Sequence, residues 1–263
     1  MAYLASLLAR DGWAVRSWCL AGAPGETRPS EAMEAPRLVL PAPLEKDGTL
    51  NGTGMPLSEL WPRLRAGQRV YAGAASAAAR EAAERHGLRL TDYMEDEALA
   101  VENAVPTAEG ALAAAMERMS VTLHGAPCLV LGFGRIGKLL SRDLAALGAR
   151  VSVAARRPES LAWAEALGYA PLHTRRLTGE LGGFRAVFNT VPAPVLDAAL
   201  LRELPRGCVL IELASRPGID AEAAETLGIT LVKAGGLPGK VAPETAAHAL
   251  RRALYRIWKE EGA

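Results

Sequence analysis

The segment Gly132-Phe133-Gly134-Arg135-Ile136-Gly137 has the spacing of a phosphate-binding glycine turn. It follows an apolar run, residues 128–131, that predicts a buried strand, and it opens a run that predicts a helix. In such a turn the first glycine allows the bend, the second admits a pyrophosphate and the third lets the helix pack on the sheet. The helix N-terminus adds unpaired N–H groups, so we predict a dinucleotide site here; a tight turn without a ligand is the alternative.

The end of the next predicted strand, residues 150–154, indicates which dinucleotide fits. A cofactor without a 2′-phosphate is usually held by an Asp or Glu at this place. Here the strand is followed by Ala155, Arg156 and Arg157, with no carboxylate at the strand end. Because a guanidinium can donate two hydrogen bonds to one phosphate, Arg156 and Arg157 favour NADP over NAD. The alternative is that both are surface charges, since 25 of the 30 basic residues are Arg.

Two later strand ends also carry polar side chains. Asn189 and Thr190, followed by Pro192, end the fourth predicted strand of this half, where their hydrogen-bonding groups suit the amide of a nicotinamide ring. Ser215 and Arg216 follow the fifth strand, and Arg216 could bind a carboxylate through two hydrogen bonds. For each segment the simpler interpretation is turn formation at a strand end.

The remaining candidates lie outside these loops. Lys240 ends a glycine-rich segment, residues 235–240, that follows the last predicted strand and could provide a second cationic anchor. Asn103, Thr107 and Glu109 form a polar elbow where a helix over residues 107–121 is predicted to begin, with Thr107 as its N-cap. Glu109 could accept a proton, although a carboxylate in a first helical turn also stabilises the helix dipole without any catalytic role.

Composition excludes several classes of function. The charges of the 30 basic and 29 acidic residues nearly cancel, so the chain has no net positive electrostatic field that could hold a nucleic acid. The four histidines and three cysteines are scattered, with neither metal-ligand spacing nor a disulfide framework, and they suit a reducing cytoplasm. No apolar run approaches the roughly 18 residues that span a bilayer, and no signal peptide is recognisable. We therefore expect a cytoplasmic protein without a metal, a nucleic-acid partner or a membrane anchor.

Short apolar strands alternate with Ala-rich helices, which predicts an α/β fold of two doubly wound, parallel-sheet (Rossmann-like) domains joined by a connector helix. In the first half the predicted strands cover residues 13–20, 37–41 and 69–73. The predicted organisation is an N-terminal substrate or partner domain over residues 1–106, the connector helix over 107–123, an NADP-binding domain over 124–241 and, over 242–263, a helix that packs back on the first domain.

Seven segments between roughly residues 90 and 250 together carry a family resemblance. In chain order they read NAVPTAEGA, TLHG, VLGFGRIG, GARVSVAARRPE, FNTVPAPVLD, LIELASRPGID and AGGLPGKVAPETA. In these segments the chain resembles the A subunits of dipicolinate synthase, which act in the formation of dipicolinic acid in spore formers. The pair ASRPG and GLPGKVAP is more distinctive than the glycine turn.

The resemblance implies a two-domain enzyme that oxidises a dihydrodipicolinate-like ring to dipicolinate with a nicotinamide cofactor. Its partner would be a flavoprotein-like B subunit in the cytosol of the sporulating mother cell, and a homo-oligomer is also open. The family assigns no catalytic residues to this chain. A dicarboxylate substrate needs two anchors, which Arg216 with Ser215 and Lys240 with the neighbouring glycine amides could provide.

One departure from the family concerns the first domain, which in the family opens with a strand and a glycine-rich turn. Here the sequence begins at a predicted helix, so either residue 1 is internal to the complete protein or the domain lacks a central strand. Two other functions stay open. One is a dehydrogenase of the 2-hydroxy acid or shikimate type, which the lack of a His–acid–Arg set at the strand ends disfavours. The other is a subunit that binds the cofactor without turnover.

Overall fold

The computed structural model describes residues 1–262 and divides into two compact units. Unit 1 comprises Met1–Glu102 and the segment that begins at Pro243, and unit 2 comprises Asn103–Ala242. The division falls inside helix α5 (Glu97–Met116), before the end of the first domain predicted at residue 106. Each unit contains a parallel sheet with helices, which confirms the predicted α/β fold class.

Unit 1 contains a small parallel sheet and a hairpin. Its strands are β1 (Arg37–Val39), β2 (Glu45–Lys46), β3 (Thr49–Leu50), β4 (Arg69–Ala72) and β5 (Arg89–Asp92). Its helices are α1 (Ala2–Arg10), α2 (Pro29–Met33), α3 (Leu57–Leu60), α4 (Ala77–Arg85) and α11 (Pro243–Glu260), with 3₁₀ turns at Trp61–Arg63 and Tyr93–Glu95. The parallel sheet has the order β1-β4-β5, and β2 pairs with β3 in antiparallel fashion.

The long C-terminal helix α11 is amphipathic, as its sequence pattern predicts. Leu254 and Trp258 are buried one turn apart on its apolar face, and they join a cluster with residues of α1. The ring of Trp258 also meets Trp13 edge-on, with centroids 5.0 Å apart. This packing fixes α11 against α1 within unit 1.

One strand prediction for unit 1 is wrong, and another is confirmed over a shorter range. Residues 13–20 form no strand, although Ser17 makes an isolated bridge to Glu26. Of the strand predicted over residues 37–41, residues 37–39 form β1, and they are half-buried. The strand β1 is the edge of its sheet, and its residues line an apolar groove together with Leu4, Leu8 and Val15. Residues 13–17 also line this groove, and they do not pair with the open edge of β1.

Unit 2 contains a larger parallel sheet. Its strands are β6 (Pro127–Leu131), β7 (Arg150–Ala155), β8 (Ala170–His173), β9 (Ala186–Asn189), β10 (Val209–Glu212) and β11 (Thr230–Lys233). Its helices are α6 (Arg135–Ala146), α7 (Pro158–Ala166), α8 (Ala198–Leu201), α9 (Ala221–Thr226) and α10 (Leu237–Val241), together with the greater part of α5. The six strands have the order β11-β10-β9-β6-β7-β8.

This order is that of a doubly wound sheet, with its reversal between β6 and β9. Successive residues of each strand face opposite sides of the sheet. Val130 and Phe188 belong to the core on one side, whereas Leu129 and Val187 belong to the core on the other. All four are fully buried, as expected for a parallel sheet covered by helices on both faces.

The start of the connector helix differs from the prediction. Helix α5 begins at Glu97, and Asp96 Oδ1 caps it by accepting a hydrogen bond from Leu99 N at 2.6 Å. Thr107, predicted as the N-cap, lies inside the helix, and its Oγ1 donates to Asn103 O at 2.7 Å. Pro106 also lies inside the helix.

Candidate functional site

Three strand ends of unit 2 lie side by side. Leu131 at the end of β6 is in register with Asn189 at the end of β9, which is in register with Glu212 at the end of β10. Because all three strands are parallel, the chain leaves them at the same edge of the sheet. The glycine turn and the loops after Asn189 and Glu212 therefore share the edge beside the point where the strand order reverses, where sheets of this kind bind ligands.

The glycines of the turn are required by close contacts. Gly132 has φ +97°, and a Cβ there would lie 2.4 Å from Thr190 Oγ1. A Cβ at Gly137 would lie 2.2 Å from Gly132 O, because α6 starts very close to the turn. Side chains at either position would collide with backbone or with the neighbouring loop.

The first turn of α6 has the features of an anion site. Gly134 is its N-cap, and no side chain caps the helix. A Cβ at Gly134 would meet no atom within 4 Å, so the space beside this N-cap residue is open. A helix of 12 residues places partial positive charge at this end. These features fit the pyrophosphate of a dinucleotide. Arg135 is exposed beside this turn. The side chain of Ile136 packs on the core, so the residue would contact a phosphate through its backbone.

Arg156 and Arg157 directly follow Ala155, the last residue of β7, and both are exposed. Arg157 Nε lies 3.4 Å from Glu159 Oε1, and both of these side chains are mostly in solvent. An exposed ion pair of this kind contributes little to stability, so Arg157 can exchange it for a hydrogen bond to a phosphate. Since β7 is the neighbour of β6, the two guanidiniums lie at the same edge of the sheet as the glycine turn.

Asn189 has a structural place that sequence alone does not indicate. Its side chain is 0% exposed. Its Nδ2 donates to Val191 O at 3.1 Å and to Glu212 Oε1 at 2.8 Å, while its Oδ1 accepts from Val191 N at 3.0 Å. The amide therefore holds the loop that follows it, whereas a hydrogen bond to nicotinamide was predicted. Thr190 and Pro192, both at least partly exposed, remain at the edge.

Glu212 is the residue that the sequence analysis missed. It ends a buried strand, and it is 6% exposed. Its Oε1 accepts from Ala214 N at 3.1 Å as well as from Asn189, and its Oε2 accepts from Gly218 N at 2.8 Å and Ile219 N at 3.1 Å. The signal that could have found it is a carboxylate in an otherwise apolar strand, because such a group must be satisfied inside the protein.

The loop after β10 packs directly on the loop after β9. A Cβ at Gly218 would lie 2.5 Å from both Ala193 O and Asn189 Nδ2, and Val195 N donates to Gly218 O at 2.8 Å. Between Glu212 and Gly218, Ser215 and Arg216 are exposed. The structure thus joins the two predicted polar segments, with Ser215 and Arg216 presented to solvent.

Most of the glycine-rich segment that carries Lys240 forms a short helix. This helix is α10, and Lys240 Nζ donates to Gly235 O at 2.8 Å. A Cβ at Gly110 of α5 would lie 3.1 Å from Leu237 and 3.2 Å from Val241, so α10 packs on α5 near Gly110.

The polar residues of α5 do not form an elbow at a helix start. Asn103, Thr107 and Gly110 are spaced four and three residues apart, so they share the face of α5 that meets α10. Asn103 Oδ1 is buried and has no hydrogen-bond partner among the described residues. Glu109 is exposed in the middle of the helix, so it is not the first-turn carboxylate that the predicted start implied.

The two buried cysteines of unit 2 have raised thiol pKa values. Burial raises the pKa of the Cys128 thiol to about 11 and that of Cys208 to about 12. A thiol that stays protonated at neutral pH is a weak nucleophile, so neither suits covalent catalysis.

Across residues 1–262, no group of three or more His, Cys, Asp or Glu could hold a metal ion. None of the helices in that range is both long and apolar enough for a membrane crossing.

Comparisons with known proteins agree with this geometry. No family model matches the chain. A curated protein, the A subunit of dipicolinate synthase from Bacillus subtilis (strain 168), is 36% identical over 198 residues, which are 73% of this chain and 67% of that protein. The crystal structure of the A subunit of dipicolinate synthase from Bacillus halodurans superposes with a TM-score of 0.83 at 32% identity, covering 90% of this chain and 86% of the other. An L-alanine dehydrogenase superposes with a TM-score of 0.67 at 14% identity over 96% of this chain and 82% of its own, which shows likeness of fold alone.

Proposed function

Because this chain belongs to the family of dipicolinate synthase A subunits, we propose that it is an NADP-dependent oxidoreductase that converts dihydrodipicolinate to dipicolinate. The observation that carries the proposal is the uncapped N-terminus of α6, with open space above Gly134. A structural turn would not need that space. A pyrophosphate bound by the N–H groups of this turn does need it.

The residues around the turn would each hold one part of the cofactor. The amides of the first turn of α6 would bind the pyrophosphate, and Arg156 with Arg157 would bind a 2′-phosphate, which favours NADP over NAD. Thr190 and Pro192 would border the nicotinamide. When bound, the nicotinamide ring supplies the hydride acceptor, and the protein contributes mainly orientation.

A pyridine-2,6-dicarboxylate precursor needs cationic groups for its two carboxylates. Arg216 is exposed and could bind one of them through two parallel hydrogen bonds, with Ser215 as a further donor. Lys240 would bind the other by exchanging its hydrogen bond to Gly235 O for one to the substrate. On α5, Glu109 is the candidate proton acceptor, and Asn103 and Thr107 are candidate polar contacts on the face that meets α10.

The family name designates one component of a larger synthase, so we also propose a partner. A flavoprotein-like B subunit in the cytoplasm of the mother cell of a sporulating bacterium would complete the synthase. A homo-oligomer is compatible with the same site, because every residue named above lies in unit 2 of a single chain.

Two measurements test the proposed function. NADPH fluorescence should rise and saturate when the chain is added, and dipicolinate should form from dihydrodipicolinate and NADP⁺ with the chain present. Adding the B subunit to a parallel reaction separates an enzyme that works alone from one that requires its partner. Binding of NADPH without dipicolinate formation in either reaction would indicate a cofactor-binding subunit without turnover, and no binding at all would exclude the proposal.

A further inference from the structure

Glu212 connects two loops through a single carboxylate. Its Oε1 receives one hydrogen bond from the loop after β9, through Asn189 Nδ2, and one from Ala214 N. Its Oε2 receives two from the far end of its own loop, through Gly218 N and Ile219 N. All four donors lie 2.8–3.1 Å from the carboxylate oxygens, which is normal hydrogen-bonding distance.

The negative charge of Glu212 is held without a cation. Its hydrogen-bond partners are three backbone amides and one side-chain amide, all of them uncharged. Hydrogen bonds to an ionised acceptor are roughly twice as strong as neutral ones, which suits a carboxylate that must order backbone on two sides. Asn189 extends this order, because its own amide binds both the N–H and the C=O of Val191.

The exposed residues of these loops are the ones to which the proposed function gives a ligand. Thr190 and Pro192 follow Asn189, while Ser215 and Arg216 lie between Ala214 and Gly218, whose amides Glu212 binds. The Ser215–Arg216 segment is thus fixed at both ends by the same carboxylate.

We propose that Glu212 is a positioning residue that aims Arg216 and Ser215 at a carboxylate of the substrate. The inference rests on the proposed function, since it assigns the geometry of the same site. Glu212 itself is buried and does not touch the ligand. Its role is to fix the loop before the ligand arrives, which lowers the entropic cost of binding.

The chemistry of the side chain suggests a sharp test. In Glu212→Gln, one oxygen becomes an NH₂ group, which has to face a donor pair whichever way the amide is turned. Glu212→Asp keeps the charge and two acceptor oxygens but shortens the side chain by one methylene, and it should restore part of the function. Glu203→Gln is the matched control, because Glu203 Oε2 also accepts from a backbone amide, Gly179 N at 2.8 Å, outside the proposed site.

Three readouts on the full chain separate positioning from general stability. Hydrogen exchange should be roughly tenfold faster or more in Glu212→Gln on one side of the carboxylate, either at Ala214 or at Gly218 and Ile219, since the NH₂ group leaves that side without an acceptor. Dipicolinate, titrated calorimetrically against the chain saturated with NADPH, should bind roughly tenfold more weakly or worse, while NADPH affinity changes by less than about threefold. The KM for dihydrodipicolinate should rise more than kcat falls, with partial recovery in Glu212→Asp.

The outcomes distinguish this inference from the proposed function. If the wild-type chain binds dipicolinate and Glu212→Gln binds it equally well, the positioning role is wrong and the proposed function stands. An equal loss in Glu203→Gln would also overturn the role, because the effect would then be general destabilisation. If the wild-type chain binds neither NADPH nor dipicolinate, the proposed function fails, and the inference fails with it.

Discussion

The hydroxyl of Thr190 lies against Gly132: a Cβ on that glycine would be 2.4 Å from Thr190 Oγ1. Thr190 Oγ1 donates to Leu131 O at 2.8 Å, so the loop after β9 is bonded to the strand that leads into the glycine turn. The proposed nicotinamide loop and the proposed phosphate turn are therefore one packed structure. A substitution in one of these segments should therefore alter the packing of the other.

Gly132→Ala should lower the free energy of unfolding by about 2 kcal/mol, since alanine at φ +97° is strained and its Cβ overlaps Thr190. Urea denaturation checks this change. In the double variant with Thr190→Ala, the overlap with Oγ1 is removed, so the combined loss should be smaller than the sum of the two single losses. Strict additivity would contradict the contact between these residues.

The variant Arg156→Asp/Arg157→Ser should weaken NADPH binding far more than NADH binding, by roughly 100-fold against about threefold, because only NADPH carries a 2′-phosphate. Fluorescence titrations of the two cofactors measure this difference directly. Arg206→Ser is a matched control, since Arg206 is also exposed and precedes β10 at the opposite edge of the sheet. Equal losses for the two cofactors would contradict the assignment of the 2′-phosphate.

Arg216→Ala should leave NADPH binding unchanged and reduce dipicolinate formation by roughly 100-fold, the scale of a lost hydrogen-bonded ion pair with the substrate. Arg216 is exposed, so the melting temperature should stay within the small range of surface substitutions. Steady-state rates with NADP⁺ and dihydrodipicolinate provide the measurement. Unaltered activity would remove Arg216 from the site.

The pH dependence of stability should include Asp96. Its hydrogen bonds from Arg256 hold the pKa of the Asp96 carboxyl below its usual value. A lowered folded-state pKa gives stability that is complete above the unfolded pKa of about 3.9 and is lost as the pH falls through the folded value. Asp96→Asn should therefore destabilise the chain at pH 7 and much less at the acid end of this window. Equal destabilisation at both pH values, measured by thermal unfolding, would contradict this origin.

Local pattern was sufficient to predict the start of the sheet in unit 2. Strand β6, the glycine turn and α6 follow directly from an apolar run, three spaced glycines and helical periodicity, all of which are local signals. The same is true of Arg156 and Arg157, whose place depends only on where β7 ends. The fold class is confirmed for the same reason, since alternation of strands and helices constrains topology strongly.

Three features of the structure depend on tertiary contacts and could not be predicted from the local sequence pattern. Residues 13–20 have the composition of a strand, but a strand exists only beside a neighbour, and β1 offers its edge to a groove instead. Pro106 and Thr107 resemble a helix start, yet α5 runs through them from a cap at Asp96. Glu212 is one charged residue in a strand, and its four donors come from positions that only the folded loops bring together.

The central claim, that the amides at the start of α6 bind a diphosphate, is tested most directly by NADPH titration of Gly134→Asp. Aspartate is a favoured N-cap, so the carboxylate should bond to the free amides and raise the free energy of unfolding by roughly a few tenths of a kcal/mol relative to glycine. The same carboxylate would occupy the phosphate position and repel the ligand. Gly183→Asp, another open glycine of unit 2, controls for the added charge. We expect Gly134→Asp to be as stable as the wild type or more so, with NADPH affinity lower by roughly 100-fold or more. Unchanged NADPH affinity in this variant would contradict the claim.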